Sequence, residues 1–239
     1  MWNNALALTR IANTALLLAI ALLLAAVLWR IANNQVFSVS GIDVVGNVAH
    51  VTREQVRTIA VNELRGTFFT VDLRGTQTAF EKLPWVRRVV VRRRWPNRLE
   101  VVVEEHRELA RWGNSALVNH HGEMFEGAIN KRLPVFEGPT GSQSDIARNY
   151  RRFNQSLALI GRKVTRVQVS DRRAWRLDLD DGMVIELGRD GVVERLEGFV
   201  TAYAHSVGEL RGKTDYVDLR YSNGFAVRVR EDKWSEARA

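Results

Sequence analysis

The hydrophobic positions fall into two patterns: one unbroken run near the N-terminus, then short periodic segments. Residues 11–29 carry no charged side chain and lie between Arg10 and Arg30. At 1.5 Å per helical residue the run is about 28 Å long, close to the roughly 30 Å core of a bilayer. We therefore predict a transmembrane helix over residues 11–30, preceded by a short tail of residues 1–10.

A cleaved signal peptide is the alternative interpretation of this run. Such a peptide has an apolar region of about 7–15 residues followed by a small-x-small cleavage site. The run here is longer, and Leu28, Trp29 and Arg30 offer no such site. An uncleaved anchor is therefore favoured. The charges that flank it are too few to fix its orientation in the membrane.

Residues 36–105 have the spacing of a small domain with the order strand, helix, helix, strand, strand. Thr52 and Gln55 are placed as a capping box at the start of the first helix. Pro84 ends the second helix. The predicted elements are a strand at 36–46, a helix between Thr52 and Gly66, a helix at 75–83, and strands at 86–95 and 99–105.

From residue 106 to residue 232 we predict a second, β-rich domain, followed by a tail of residues 233–239. Asp181-Gly182 and Asn223-Gly224 are hairpin turns by composition. Two amphipathic helices are expected between the strands, the first with its apolar stripe at Ile146, Tyr150, Phe153, Leu157 and Ile160. The expected class is α+β, with a mixed and mostly antiparallel sheet.

The charge balance favours acidic partners over nucleic acid. The chain has 35 Lys and Arg against 27 Asp and Glu, a formal charge of +8. Basic and acidic residues are interleaved along the whole chain, and no RRM, KH or zinc-finger signature accompanies them. We interpret the charges as solvated faces with affinity for acidic lipid headgroups or acidic proteins.

The sequence carries no pattern of residues that predicts chemistry. None of its five histidines lies in an HExxH spacing, and no GxSxG or GxGxxG motif occurs. Residues 208–214 resemble a phosphate loop, but three residues separate the glycines where four are required. The chain has no cysteine, which suits an exported domain. We predict a non-enzymatic protein without cofactor or metal.

Several short motifs, taken together with this layout, resemble one known family. They are Leu-Pro-Trp-Val at 83–86, Arg-Trp-Pro-Asn at 94–97, Ala-Arg-Trp at 110–112 and Tyr-Val-Asp-Leu-Arg-Tyr at 216–221. A single anchor followed directly by a β-α-α-β-β module resembles the bacterial cell-division family FtsQ/DivIB, whose first exported domain is a POTRA domain. The resemblance covers nearly the full chain.

The resemblance implies a scaffold of the division machinery that links early and late division proteins. Its N-terminus would be cytoplasmic and its bulk periplasmic, on a single-pass helix in the inner membrane, and it would gather at the septum during division. The implied partners are membrane proteins resembling FtsB and FtsL, together with upstream division proteins. Neither nucleic acid nor a small-molecule substrate is expected.

The resemblance also places a partner-binding surface on the last hairpin. In some relatives serine stands where this chain has Asn223, and tryptophan lies near the position of Val229, so the anchoring residues differ here. Ordinary sheet packing of Tyr221, Phe225 and Val229 is the alternative. The expected surface consists of Arg220, Tyr221, Asn223, Gly224, Phe225, Val227 and Val229, flanked by Arg173 and Trp175.

A basic cluster on the fourth predicted element of the POTRA-like module is the second candidate surface. The resemblance implies recruitment by upstream division proteins here, with Arg88, Val91 and Arg93 as contacts. The alternative is cross-strand pairing of the arginines with Glu100, Glu104 and Glu105, which contributes about 0.2–1 kcal/mol per pair. The sequence leaves both interpretations open.

Two other functional classes compete with the scaffold. A POTRA-bearing chaperone, or a component of secretion or outer-membrane assembly, would pass unfolded strands to a membrane barrel. That class calls for several POTRA repeats or a following barrel, and neither pattern occurs in this sequence. A cell-wall hydrolase would need a nucleophile or metal constellation, and no such motif is found.

Overall fold

The computed structural model describes residues 5–206, 214–221 and 224–229 and divides the chain into two compact units between Glu105 and His106. The predicted contact Asn223, residues 208–213 of the segment that resembles a phosphate loop, and the tail 233–239 lie outside the described residues, as does the start of the predicted tail 1–10.

The first unit begins with the apolar helix α1, Ala5–Ala32. Leu16, Leu22 and Trp29 are 60, 71 and 71 % exposed, so the leucine-rich surface of the helix is not covered by the rest of the protein. Within the described residues, α1 is the one helix long and apolar enough to cross a membrane. An apolar helix whose sides are uncovered satisfies its own backbone in lipid, as a spanning helix must.

The small domain after α1 confirms the order strand, helix, helix, strand, strand. Its three strands form one sheet in the order β1-β3-β2, with β1 parallel and β2 antiparallel to β3. The elements are a 3-10 turn Gln35–Phe37, strand β1 Gly41–Val45, helices α2 Arg53–Glu63 and α3 Leu73–Glu81, and strands β2 Val86–Arg94 and β3 Arg98–Glu105.

Local capping explains where these helices begin. The Thr52 side chain accepts from the Gln55 backbone N–H, and the Gln55 side chain accepts from that of Thr52, so the predicted capping box is confirmed. The second helix starts earlier than predicted because Asp72 caps it, accepting from the Arg74 N–H. The first strand is shorter than predicted because Asn34 caps a 3-10 turn over its first residues.

Both helices cover one face of the three-stranded sheet. The buried cluster consists of apolar side chains from both helices and from strands β2 and β3, at positions with the spacing of those elements. Phe80 and Val101 are fully buried, and Val89 is 1 % exposed. The opposite face of the sheet carries Arg88 and Arg92 of β2 and Glu100 and Glu104 of β3, because successive side chains of a strand alternate between faces.

The second unit is a nine-stranded sheet with two helices. Its strand order is β12-β11-β10-β9-β8-β7-β4-β5-β6, and five of these eight pairings are antiparallel, which confirms the predicted class. The elements are β4 Glu108–Trp112, β5 Ala116–Asn119, β6 Met124–Phe125, β7 Val135–Glu137, α4 Gln143–Ala158, β8 Val164–Val169, β9 Trp175–Leu179, β10 Val184–Gly188, α5 Val192–Ser206, β11 Thr214–Asp218 and β12 Ala226–Val229.

Two of the three parallel pairings in this sheet are made by helix crossovers. Helix α4 joins β7 to β8 and helix α5 joins β10 to β11, as parallel neighbours require. Ile146, Phe153 and Leu157 of α4 are fully buried, as predicted from their spacing. Gly182 has φ +88° in the predicted hairpin turn, where Asp181 accepts from the backbone N–H of Met183.

Candidate partner-binding surfaces

The last hairpin forms one edge of the nine-stranded sheet. Strand β12 pairs antiparallel with β11, Val217 facing Val227 and Asp218 facing Ala226. No other described strand pairs with the outer side of β12. A strand edge of this kind presents a row of unpaired backbone groups.

The direction of the backbone groups on β12 follows from its neighbours. The Leu219 N–H donates to a carbonyl of β10 at 2.8 Å, so the preceding residue, Asp218, directs its backbone groups toward β12. Asp218 faces Ala226, whose N–H and C=O therefore point back to β11. The alternate positions, Val227 and Val229, direct their N–H and C=O groups outward.

Apolar side chains line the same edge. Phe225, Val227 and Val229 alternate along the strand and share one face, and they are 41, 37 and 37 % exposed. The Phe225 ring meets the buried ring of Phe199 on α5 edge-on, with centroids 5.3 Å apart. Tyr221, at the start of the turn, is 62 % exposed. Core packing thus stops at Phe199, and the stripe beyond it is uncovered by the described residues.

Two arginines are held beside this stripe by acidic partners. The Arg220 guanidinium donates to the Asp218 carboxylate at 2.6 and 2.9 Å, and hydrogen bonding from Arg220 holds the Asp218 pKa below its usual range. Arg228 donates to Asp215 at 3.1 Å and lies 5.2 Å from the centre of the Tyr216 ring. Both arginines keep most of their side chains exposed, at 58 and 68 %.

Arg173 lies at the same end of the sheet as the hairpin turn. It is an exposed residue with φ +64°, just before β9 begins. The first residue of β9 pairs with Gly188, and the Arg220 side chain passes over Gly188. The structure therefore brings Arg173, Arg220, Tyr221, Gly224 and Phe225 to one end of the sheet.

The structure does not place Trp175 at this surface. Its side chain is 8 % exposed and packs edge-on against Phe153, with ring centroids 5.8 Å apart. Strand β9 is also three positions from β12 in the sheet, a separation of about 14 Å at 4.8 Å per strand. Trp175 belongs to the core that supports the hairpin.

Sequence reasoning missed the residues of α5 beneath the turn. Arg195, Gly198 and Phe199 line a groove with Tyr221 and Phe225. Phe199 follows Leu196 by three residues, so the helical period places both on one face of α5. Its partnership with Phe225 depends on the crossover through α5, which sequence spacing does not reveal.

The three candidate residues of β2 do not share one face. Val91 packs against the core of the small domain and lies on the same face as Val89. Arg93 follows on that face too, whereas Arg88 is exposed on the opposite face. A single flat contact therefore cannot include all three side chains.

Arg93 holds a neighbouring loop in place. Its guanidinium donates to the backbone carbonyls of Phe68, Phe69 and Val71 at 2.6, 3.2 and 3.2 Å. The predicted pairing of the cluster with glutamates occurs at Arg87, which bonds Glu104 at 2.7 Å.

For Arg88 and Arg92 the described residues show no ion pair, although each faces a glutamate across the hairpin. Cross-strand pairing with a glutamate thus applies to Arg87 of the basic cluster, whereas Arg88 remains exposed.

The described residues contain no group of three or more His, Cys, Asp and Glu side chains able to hold a metal ion. The best-organised carboxylate of the small domain, Glu105, instead accepts from the backbone N–H groups of Ala49, His50 and Val51 at 2.9–3.0 Å. Burial raises the pKa of Glu105, and these bonds outweigh it, leaving the pKa below its usual range. That role is structural.

Two family models match adjoining parts of the chain. A POTRA domain of the FtsQ type matches residues 37–106, and the C-terminal domain of cell division protein FtsQ/DivIB matches residues 110–220. The first match covers the three-stranded domain, and the second covers the nine-stranded sheet up to Arg220.

Full-length relatives agree with both matches. The cell division protein FtsQ of Nitrosospira multiformis is 46% identical over 183 residues, which cover 77% of this chain and 78% of the relative. The FtsQ proteins of Burkholderia pseudomallei and Neisseria gonorrhoeae are 39% and 34% identical over 236 and 233 residues. These alignments cover 96% and 97% of this chain, and 94% and 96% of the relatives.

Proposed function

The chain belongs to the FtsQ/DivIB family of cell division proteins, and we propose that it is a non-enzymatic, single-pass membrane scaffold of the division machinery. Its exported domains would link early and late division proteins by holding bitopic membrane partners at the septum. The observation that supports this proposal most directly is the open edge of β12, an apolar strand with outward backbone groups.

The anchor is the first part of the proposal. Helix α1 is long enough to cross a bilayer, and its leucine side chains are uncovered. We place the N-terminus in the cytoplasm and both domains in the periplasm, with the helix in the inner membrane. If a reporter that is active only in the cytoplasm shows activity when it is fused after Ala239, the proposed orientation is wrong. If the mature protein begins after residue 30, the run is not a membrane anchor.

Strand addition at β12 is the proposed binding mode. An extended segment of the partner pairs with the outward N–H and C=O groups of Val227 and Val229, so main-chain hydrogen bonds provide affinity. Side chains at alternate positions of the partner cover Phe225, Val227 and Val229, which provides specificity. The partners we propose for this edge are FtsB/FtsL-like membrane proteins.

The surrounding side chains favour a partner segment with acidic flanks. Arg220 and Arg228 are exposed beside the edge, and the acidic residues paired with them are less exposed than the arginines. Arg173 is exposed at the same end of the sheet, next to β9. Exposed charges of one sign steer an oppositely charged partner toward the surface. We propose Tyr221 as the aromatic anchor and Asn223 and Gly224 as further contacts.

Recruitment by upstream division proteins is proposed for the POTRA domain. Arg88 is the candidate contact, because it is exposed on the face away from the core and the described residues show no ion pair for it. Val91 packs into the core, and Arg93, although exposed, is bonded to the backbone carbonyls of Phe68, Phe69 and Val71, so we propose that these two act on recruitment through the fold.

Binding of the partner by a Tyr221→Ala variant tests the proposal. The full-length chain is placed in lipid nanodiscs and titrated with the exported part of an FtsB-like partner from the same cell. Because large aromatics dominate such patches, we expect the variant to lose about 2 kcal/mol, roughly thirtyfold in Kd.

The matched control is Leu159→Ala, which truncates another exposed apolar side chain, 76 % exposed at the end of α4. It is expected to bind like the wild type. Circular dichroism of both variants checks that the fold is kept. A folded Tyr221→Ala variant with wild-type affinity would contradict the proposed site, and co-purification of a cell-wall substrate or of unfolded outer-membrane proteins in place of division proteins would contradict the proposed class.

A further inference from the structure

The POTRA domain is fastened directly to the end of the anchor helix. The Thr67 hydroxyl donates to the Ala32 carbonyl in the last turn of α1. Ser38 forms an antiparallel bridge with Thr67, and the Phe68 N–H donates to the Phe37 carbonyl at 2.7 Å. The last residue of the anchor and the residues just after it are therefore joined to one loop of the domain, residues 67–71, which we call the 67–71 loop.

These contacts fix the depth of the 67–71 loop relative to the helix. The 28 residues of α1 span about 42 Å, enough for the roughly 30 Å core and part of one headgroup layer. The uncharged run ends before Arg30, so Ala32 lies where the chain leaves the core. Thr67 touches Ala32, and Phe69 lies at most about 8 Å from Thr67 between Cα atoms.

The loop presents apolar side chains that the rest of the domain leaves uncovered. Phe69 is 51 % exposed although its neighbour Phe68 is buried at 7 %. The Phe37 and Phe69 rings meet edge-on with centroids 5.3 Å apart, and Val36 beside them is 76 % exposed. Phenylalanine is among the apolar side chains that protein segments bury at the headgroup–acyl boundary.

The loop is rigid enough to hold such a position. Arg93 bonds three of its carbonyls, and the Thr67 N–H donates to the Thr70 hydroxyl at 2.9 Å. The nearby exposed arginines are Arg65 and Arg74, and Arg30 closes the anchor helix. The acidic residues of the same segments are Glu63 and Asp72, the second of which caps α3, so the positive charge is in excess.

We propose that Phe69 and Val36, braced by Phe37, insert into the headgroup–acyl boundary of the bilayer and seat the POTRA domain on anionic lipid. Apolar side chains gain by leaving water, and the surrounding arginines are attracted to acidic headgroups. This inference rests on the proposed membrane anchor and is independent of the partner-binding edge.

Site-directed spin labelling of the full-length chain tests this contact. The natural sequence has no cysteine, so Phe69→Cys and Val36→Cys each create a single attachment site. The labelled proteins are reconstituted in vesicles of phosphatidylethanolamine and phosphatidylglycerol. Oxygen, which concentrates in lipid, and a water-soluble nickel chelate then compete to relax the label.

Two control positions make the outcomes distinguishable. Leu22→Cys reports on the middle of the anchor, and Lys82→Cys reports on an exposed position at the far end of α3 from the 67–71 loop. We expect the ratio of oxygen to nickel accessibility to be highest at residue 22, and severalfold higher at residues 69 and 36 than at residue 82.

Labels at 69 and 36 that are as water-exposed as the label at 82, with residue 22 in lipid, would overturn the inference and leave the anchor in place. A water-exposed label at 22 would overturn the anchor itself. Equal lipid exposure at 69 and 82 would overturn the assignment of this particular surface. Melting curves of each variant, matched to wild type, exclude unfolding as the cause.

Discussion

Two edge strands of this protein, β12 and β2, differ in how they meet solvent. Strand β2, at one edge of the POTRA sheet, carries five arginines, and at least two of them are committed, Arg87 to a glutamate and Arg93 to three loop carbonyls. Strand β12 carries exposed valines at 227 and 229 and one arginine paired to Asp215. Charged side chains protect an edge against pairing, whereas exposed valines with outward backbone groups favour it.

The side chains of the two strands decide which edge is suited to strand addition. A partner strand on β2 would lie along a row of guanidinium groups that must lose water, at a cost in free energy. A partner strand on β12 would cover Phe225, Val227 and Val229 and remove apolar surface from water. We therefore expect a main-chain complex at β12 and a side-chain contact, centred on Arg88, at β2.

Each of the two edge strands is supported by the hydrophobic core of its own unit, and truncation of these cores should give the largest losses of stability. Phe80 in the POTRA domain and Phe153 in the second unit are both fully buried. Truncating either to Ala should lower the free energy of unfolding by about 3–5 kcal/mol, because a cavity is left in a packed core. Chemical denaturation of the two variants measures the loss, and unchanged curves would show that these faces are not the supporting cores.

Charge reversal on β2 separates support from recruitment. Arg93→Glu removes charge-assisted hydrogen bonds to three carbonyls and should cost about 1.5–3 kcal/mol of stability. Arg88→Glu, on the exposed face, should change stability by less than about 0.5 kcal/mol and still abolish septal localisation if it is a contact. Thermal melts and fluorescent fusions give the two readouts. Normal septal fluorescence of a folded Arg88→Glu variant would show that Arg88 is not a recruitment contact and that β2 has only a structural role.

Proline substitution tests the direction of the backbone groups on β12. Val227→Pro removes an N–H that points outward, so the hairpin should persist while partner binding weakens by about 0.5–1.5 kcal/mol, up to roughly tenfold in Kd. Arg228→Pro is the matched control, because the N–H of Arg228 points to β11 and its loss should break the hairpin. Titration measures partner binding by both variants, and circular dichroism shows whether the hairpin is kept. A broken hairpin in Val227→Pro and an intact one in Arg228→Pro would show that the assigned directions of the backbone groups are wrong.

The smallest expected effect is acid sensitivity beside the β12 edge. Hydrogen bonding from Arg220 lowers the pKa of Asp218 in the folded protein from its ordinary 3.8. The unfolded chain then binds the proton more readily, so this contribution to stability is full above about pH 5 and decreases as pH falls below 3.8. Asp218→Asn should therefore flatten that part of the stability–pH curve. If the stability–pH curve of Asp218→Asn matches that of the wild type from about pH 5 to lower pH, the Arg220–Asp218 pair contributes nothing to folding.

Local chemistry explains what the sequence predicted and what it missed. The capping box at Thr52 and the turn at Gly182 depend on neighbours within four residues, and spacing alone reveals them. The contacts of Arg93 and Trp175 depend on partners 22–25 residues away in the sequence. Arg93 bonds a loop, and Trp175 packs against a helix. A basic residue on a strand has the same pattern whether it faces a glutamate, a loop carbonyl or solvent.

The edge of β12 shows the same limit. The hairpin itself could be predicted, because the Asn223-Gly224 turn separates two apolar segments. The outward direction of Val227 could not, since it depends on the crossover through α5 and the pairing of Leu219 with β10. The roles of the predicted partner-binding residues stay predictions until a complex is measured.

Strand addition at β12 can be measured by amide hydrogen exchange at single-residue resolution, with and without the FtsB-like partner. We predict that the amides of Val227 and Val229 exchange rapidly in the free protein and become protected in the complex, while amides along β2 keep their rates. A stable complex that leaves Val227 and Val229 unprotected, or protects β2 in their place, would contradict this account.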